Sequence, residues 1–303
     1  MINRDLDHHT AYRRRRYYAH LTDDQLCERY AGLLDNALVF DRDGPPVIVR
    51  TATRRSRALV WTQEELRLRC LGQRACALEE HELSRPRPRM LAACRLLAGI
   101  TPLRRGSQIV KFGRRTHIQA MIEQGRFRIS PATTYDDPSL NRAIRDDERR
   151  AELFMPNGTT MHVKIDDTYH EVPRLTAPLR YNVRCENFYV FCAATVLDAR
   201  CFDDFDADAI MIVRDLQTFS SRLIPAFGEA AGVTKYRCGS VLYLDPLHAG
   251  YEIKEVEITK HVRYSYQHEW RILWAADDPI PDDAMPLTID IGTLADCCEA
   301  HYL

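Results

Sequence analysis

The chain has 303 residues, 45% hydrophobic and 28% charged, with a formal net charge of −1. These are the values of an ordinary soluble globular protein able to bury a sizeable core, and no run of about 18 apolar residues is present to make a membrane span. The near-neutral total hides an asymmetry: residues 1–115 carry 23 Lys+Arg against 13 Asp+Glu, and the remainder carries 19 against 30. A basic first third joined to an acidic remainder implies either an anionic partner or attraction between the two parts.

Residues 1–105 read as a basic, mostly helical N-terminal region. Arg13, Arg14, Arg15 and Arg16 stand beside Tyr17 and Tyr18, a combination suited to phosphate contact and base stacking, as well as to a solvated surface. Thr22 or Asp23 caps a helix running to about Phe40. Gly44-Pro45-Pro46 breaks it, and Val47-Ile48-Val49 reads as a short strand. Thr62-Gln63-Glu64-Glu65 resembles a capping box ahead of a helix to about Glu82. Pro86 and Pro88 interrupt again, and Met90 to Ala98 forms another short helix. A boundary falls at Thr101–Gly106.

From 106 to 303 the pattern changes to an α+β domain of six to eight strands. Gln108 to Phe112 reads as a strand, Thr116 to Glu123 as a helix ended by Gly125, and Arg126 to Ser130 as a strand stopped by Pro131. Tyr135-Asp136-Asp137-Pro138 makes a turn. Leu140 to Phe154 is expected to be a highly charged helix. Thr159 to Ile165 and Asn187 to Ala194 are strands. Asp215 to Ala231 is helical, with Pro225 inside it. Lys235–Leu244, Val262–Trp274 and Leu287–Ile291 complete the strand set, and a helix from about Thr293 closes the chain.

The stretch Tyr264 to Trp274 alternates. Tyr264, Tyr266, His268, Trp270, Ile272 and Trp274 fall on one face of a strand, and Ser265, Gln267, Glu269 and Arg271 on the other. Gln267 and Glu269 would then project side by side. The Glu can accept a hydrogen bond from a sugar hydroxyl and stabilise an adjacent cationic carbon, while the Gln orients a nucleophile. The same pattern also describes an ordinary half-exposed strand.

Other chemistries lack their signatures. There is no Gly-rich dinucleotide turn and no Gly-x4-Gly-Lys phosphate loop. Cys297, Cys298 and His301 offer no further metal ligands, and no metal is expected. A pairing of Cys192 with His170 is not selected by spacing. The ten cysteines are scattered, and with no export signal in view they read as reduced thiols of a cytoplasmic protein.

The order Lys111-Phe112-Gly113, helix, Gly125, strand ending at Ser130, and late Gln267-x-Glu269 resembles the ADP-ribosyltransferase superfamily. It is also similar to a bacterial family of poorly defined function, with its early Lys-Tyr, its Ser-Pro followed by Phe-Asn-Asp-Pro, and its late Glu-x-Glu-Trp-Arg. Here these read Lys111-Phe112, Ser130-Pro131, Tyr135-Asp136-Asp137-Pro138 and Gln267-His268-Glu269-Trp270-Arg271. The resemblance covers about residues 107–303 and implies a split β-sheet domain using NAD as substrate. It makes Glu269 the catalytic carboxylate and Gln267 the target-orienting residue. Phe112-Gly113 would grip the nicotinamide amide, Lys111 would meet the pyrophosphate or ribose, Ser130 would support the Glu, and Tyr135 would stack on nicotinamide. The implied activity is mono-ADP-ribosylation of a macromolecule, nucleic acid ahead of protein, by a toxin-like or defence effector with an antitoxin-like inhibitor. An NAD glycohydrolase or an RNA phosphotransferase on the same fold, and a non-catalytic nucleic-acid-binding regulator, are the alternatives.

Overall fold

A computed structural model describes residues 4–40, 46–48, 54–155, 160–172, 176, 179–247 and 255–303. The Gly44–Pro45 break, Val49 and Thr159 lie outside the described residues. In the N-terminal region, α1 spans Arg4–Arg15 and α2 Asp23–Asp35, followed by the short strands β1 (Leu38–Val39) and β2 (Val47–Ile48). Then come α3 (Arg54–Leu68), α4 (Gly72–Ser84) and α5 (Met90–Ala98). Thr22 closes a capping box with Gln25 at the start of α2, as its side-chain chemistry dictates. Thr62, by contrast, starts no helix. It lies within α3, its hydroxyl donating to the Ala58 carbonyl at 2.8 Å, and the chain breaks later, at Cys70 in the left-handed region. Glu64 and Glu65 are buried partners of α1: Glu65 accepts from Tyr12 and Arg16, and Glu64 from Arg13.

The remaining elements are β3 (Ile109–Gly113), α6 (Arg115–Glu123), β4 (Arg126–Pro131), β5 (Arg150–Met155), β6 (Met161–Ile165), β7 (Thr168–Val172), β8 (Leu179–Arg184) and β9 (Tyr189–Ala194). They continue with α7 (Arg200–Asp204), β10 (Ala209–Val213), α8 (Leu216–Ala231), β11 (Lys235–Ser240), β12 (Leu242–Leu244), β13 (Thr259–His261), β14 (Glu269–Ala275), β15 (Leu287–Asp290) and β16 (Cys298–Tyr302). The fold is mixed α and β behind a helical N-terminal region.

Among the described residues the main sheet has eight strands. Six follow the order β11-β14-β9-β3-β10-β16, and β4, carrying β15, also joins β9. One face of it packs under α6 and α8 through Ile109, Phe127, Phe191, Met211, Phe219, Trp270 and Trp274. Each fully buried side chain of this size contributes on the order of 1.5–3 kcal/mol. Gly125, with φ +64, ends the helix–strand connection; a Cβ there would strike the Gly292 backbone, so the position requires glycine. On the other face, α5 and α7 pack against Val110, Phe112, Ile210 and Ile212. Helix α5 therefore shares the sheet's core although it precedes the boundary read at 101–106.

Three further elements differ from expectation. Residues 140–149 form turns rather than a helix, and the chain from Arg150 is a strand that pairs antiparallel with β8. No helix follows Thr293: Cys298–Tyr302 is the strand β16, paired with β10. The stretch 264–268 is not strand. Val262–Gln267 is a 3-10 helix, His268 has φ +45, and β14 begins at Glu269. The cause is Asn36, beyond the end of α2: its amide oxygen accepts from Ser265 Oγ and Tyr266 N at 2.6 and 2.8 Å, and its nitrogen donates to the Val262 carbonyl at 3.1 Å. Backbone polar groups held by a side chain are unavailable to a sheet ladder.

Candidate functional site

Strand β9 is shared unevenly. At Ala194 it pairs with Val110 of β3, whereas at Val190 and Tyr189 it pairs with Ser130 and Pro131 of β4. The sheet splits between these points, and the Cys192 carbonyl faces the gap, where it accepts from Lys111 Nζ at 2.7 Å. A pocket of about 250 Å3 opens here. Lys111, Phe112, Tyr135, Gln267 and Glu269 line it, together with Glu148, Cys192 and Lys260.

Glu269, Arg271 and Leu273 occupy one face of β14 and the apolar Trp270, Ile272 and Trp274 the other, as alternation requires. The polar face, expected to stand half-exposed, is buried. Glu269 accepts from Arg271 Nε at 2.7 Å and from Lys260 Nζ at 3.1 Å. Glu148, from the turns before β5, accepts from the same two cations, at 3.1 Å from Lys260 and at 2.5 Å from Arg271. Two carboxylates and two cations thus form a closed ring. Burial alone would raise the Glu269 pKa, but Arg271 and Lys260 outweigh it and hold the carboxyl well below the usual range. Burial opposes protonation of Lys260, and Glu148 and Glu269 reverse that, keeping it firmly cationic. Asp146, two residues from Glu148, is pushed up to about 7 by burial and by Glu148, against Lys260 and Arg271.

Gln267 does not project from a strand beside Glu269. It sits on the 3-10 helix, buried, with Nε2 donating to the Ala143 carbonyl at 2.7 Å. Ser130 and Gly113 are absent from the pocket lining. Ser130 is buried in the β4–β9 ladder, and the Gly113 carbonyl accepts from Asp208 N at 3.2 Å. A backbone grip at Gly113 therefore has to compete with the protein's own hydrogen bonding.

The N-terminal arginines divide. Arg13 and Arg16 are bound to Glu64 and Glu65, while Arg14 is exposed and Arg15 donates to the Tyr17 hydroxyl. Tyr18 is buried, and Tyr17 stacks on Trp61 with ring centroids 4.7 Å apart. Charge attraction between the two parts of the chain is present: Arg29 pairs with Asp245 at 2.7 Å and Arg89 with Asp206 at 2.7 Å.

Cys297 and Cys298 are free, buried thiols with sulfurs 3.8 Å apart, and His301 faces Glu299. His170 is exposed on the β6–β7 hairpin, and it is not among the residues lining the pocket with Cys192. No helix among the described residues is long and apolar enough to cross a membrane.

Glu148 and Lys260 escape a reading of the sequence. Glu148 hides in the charged run Arg145–Arg150, which looks like a solvated helix face. Lys260 had a usable signal: the chain has only five lysines, at 111, 164, 235, 254 and 260, among 42 Lys+Arg. Two of the five line this pocket. Comparison with protein-family models, curated proteins and solved structures finds no match to this chain.

Proposed function

We propose that the chain is an NAD-dependent mono-ADP-ribosyltransferase acting on a macromolecule, nucleic acid ahead of protein. The observation that carries this reading is the convergence of Lys111, Phe112, Tyr135, Gln267 and Glu269, far apart in sequence, on one pocket at the split of the sheet. A split sheet with a carboxylate at the head of a late strand is also what the resemblance in sequence implies. The pocket's 250 Å3 suits the nicotinamide-ribose half of NAD, with the adenosine half extending outside it.

Breaking the nicotinamide glycosidic bond develops positive charge on the ribose. Glu269, ionised throughout the neutral range, supplies a fixed negative charge where that charge forms. Arg271 and Lys260 fix the carboxylate's position before substrate arrives, so no reorganisation is needed during the reaction. Tyr135 and Phe112 supply the aromatic surface for the nicotinamide ring. Gln267 orients the acceptor once its amide leaves the Ala143 carbonyl. Contact with a nucleic-acid acceptor through the N-terminal run rests on Arg14 and Arg15, because Arg13 and Arg16 are held internally. The biological role consistent with the resemblance is a toxin-like or defence effector, restrained by an antitoxin-like protein.

Incubation with NAD labelled in its adenylate part tests the reading. Label on RNA, DNA or protein is the expected result. Free ADP-ribose alone supports glycohydrolysis on the same site, and unchanged NAD with folded protein and a full set of acceptors removes the proposal.

A further inference from the structure

Lys111 is the anomaly of the pocket. The other cations beside it, Lys260 and Arg271, are each held by two carboxylates. Among the described residues no carboxylate lies within ion-pair distance of Lys111; its Nζ donates to the Cys192 carbonyl at 2.7 Å and lies 5.2 Å from the centroid of the Phe191 ring. An ammonium has three protons to satisfy and a neutral amine two, and only the neutral amine keeps a lone pair free. The groups around it are Glu269 on β14, Cys192 on β9, and Glu148 and Lys260 across the pocket. Burial pushes the amine's pKa down, with Cys192 and Glu269 opposing. The chain places lysine, which can deprotonate, where it otherwise uses arginine, which cannot.

We propose that Lys111 is an amine nucleophile that forms an imine with the C1 aldehyde of a reducing pentose, as carried by free ADP-ribose. The Nζ lone pair bonds to C1, the carbonyl oxygen takes a proton, and the resulting carbinolamine loses water. Both amine protons leave with the former carbonyl oxygen, so lysine plus aldehyde gives imine plus one water, with no change of oxidation state. The nucleophilicity of Lys111 stands on its surroundings alone; the choice of a ribosyl aldehyde rests on the NAD reading. In that reading the pocket retains the product of NAD cleavage covalently, and the chain becomes an acceptor of its own reaction.

The experiment traps the imine with cyanoborohydride on the full chain at pH 7, in parallel with glycolaldehyde and with ADP-ribose, and maps the modified lysines by peptide mass spectrometry. Lys235, whose side chain is 62% exposed, is the internal reference. Lys111 is expected to be modified faster than Lys235 by both reagents, by roughly tenfold, the change in neutral-amine fraction that one pKa unit makes. Lys111→Arg and Lys111→Gln should both abolish that adduct; the Gln variant keeps a donor for the Cys192 carbonyl, so a melting curve near wild type separates lost chemistry from lost structure. Modification of Lys235 without Lys111 overturns the proposal. Modification of Lys111 by glycolaldehyde but not by ADP-ribose overturns its ribosyl part and counts against the NAD reading, whereas trapping by ADP-ribose in a protein that leaves NAD intact supports the nucleophile and overturns the transferase alone.

Discussion

Glu269→Gln keeps the size of the side chain and removes one of the two negative charges that hold Lys260 and Arg271. Placed on a solvated strand face, such a change would leave the fold untouched, which is what alternation in sequence suggests. The ring of charges reverses that expectation. Glu269 and Arg271 are 6% and 0% exposed, and removing one partner from a buried ion-pair network typically costs ~3–5 kcal/mol because the remaining charges are left uncompensated. Glu148 still faces both cations, so the lower end, about 3 kcal/mol, is expected. At ~2–4 °C per kcal/mol for a domain of this size, the melting midpoint should fall by roughly 6–12 °C. Circular dichroism melts at pH 7 give the number, and a double-mutant cycle with Glu148→Gln should show coupling beyond about 0.5 kcal/mol. The depressed Glu269 pKa adds a sign. Its contribution is complete above the unfolded value near ~4.3 and is lost as pH falls through the much lower folded value. Wild type and variant should therefore converge only in strong acid. A midpoint shift under about 2 °C would refute the buried-ring argument. Activity is a separate readout, taken at a temperature where the variant is still folded. Loss of the carboxylate there should lower transfer by roughly 10²-fold with NAD binding retained.

Two titrations predict opposite slopes. Asp146, raised to about 7, favours the folded state when protonated, so its contribution is present below the unfolded value near ~4 and is lost as pH rises toward 7; Asp146→Asn should remove that loss, seen as a flatter denaturation midpoint between pH 5 and pH 8. His261, lowered to about 3 by burial and Arg263, remains neutral in the fold while the unfolded chain takes up a proton below ~6.5, so stability falls with acid by up to roughly 1.4 kcal/mol per pH unit. His261→Gln should flatten the acid limb, and an unchanged limb would show that His261 protonates freely in the folded chain. If duplex DNA is bound through Arg14 and Arg15 alone, the slope of log K against log salt should be about −2. A slope near −4 would mean that Arg13 and Arg16 leave Glu64 and Glu65 for phosphate.

What was legible in the sequence was local. Thr22 with Gln25 at i+3 sets α2 because both partners of the capping box lie within one turn. Arg126–Ser130 and Trp270–Trp274 alternate cleanly, and they are strands. The errors arise where distant groups decide. Residues 145–150 carry the charge of an exposed helix, but Glu148 is taken by Lys260 and Arg271, more than a hundred positions away. Tyr264 to His268 has the right alternation for a strand, and Asn36, from another part of the chain, captures its backbone first. Cys298–Tyr302 becomes an edge strand because β10 offers a free ladder; the short segment has no periodicity long enough to say so. Pocket membership was legible for Lys111, Tyr135 and Glu269 only through their order in the chain. Ser130 and Gly113 followed the same order and went into sheet ladders instead, with β9 and β10 respectively.

The ring of charges and the split in the sheet explain one another. Where β3 and β4 part, β9 loses a continuous neighbour, and polar backbone such as the Cys192 carbonyl is left facing a cavity. A buried gap of that kind is costly unless polar groups fill it. Lys111 meets the carbonyl from one side, and the ring of Glu148, Lys260, Glu269 and Arg271 stands along the other. Because the ring sums to zero charge, it can be buried without importing an ion, and because every member has two partners, none is free to drift. That rigidity is what an electrostatic catalyst requires, since its charge must already be in place when the reaction's charge appears. It also limits what the carboxylate can do. Held by two cations, Glu269 is a poor base and a weak nucleophile, and its remaining capacity is to accept a hydrogen bond and stabilise positive charge. Among the described residues Lys111 is the pocket amine with no carboxylate in ion-pair distance, and chemistry that needs a free lone pair falls to it.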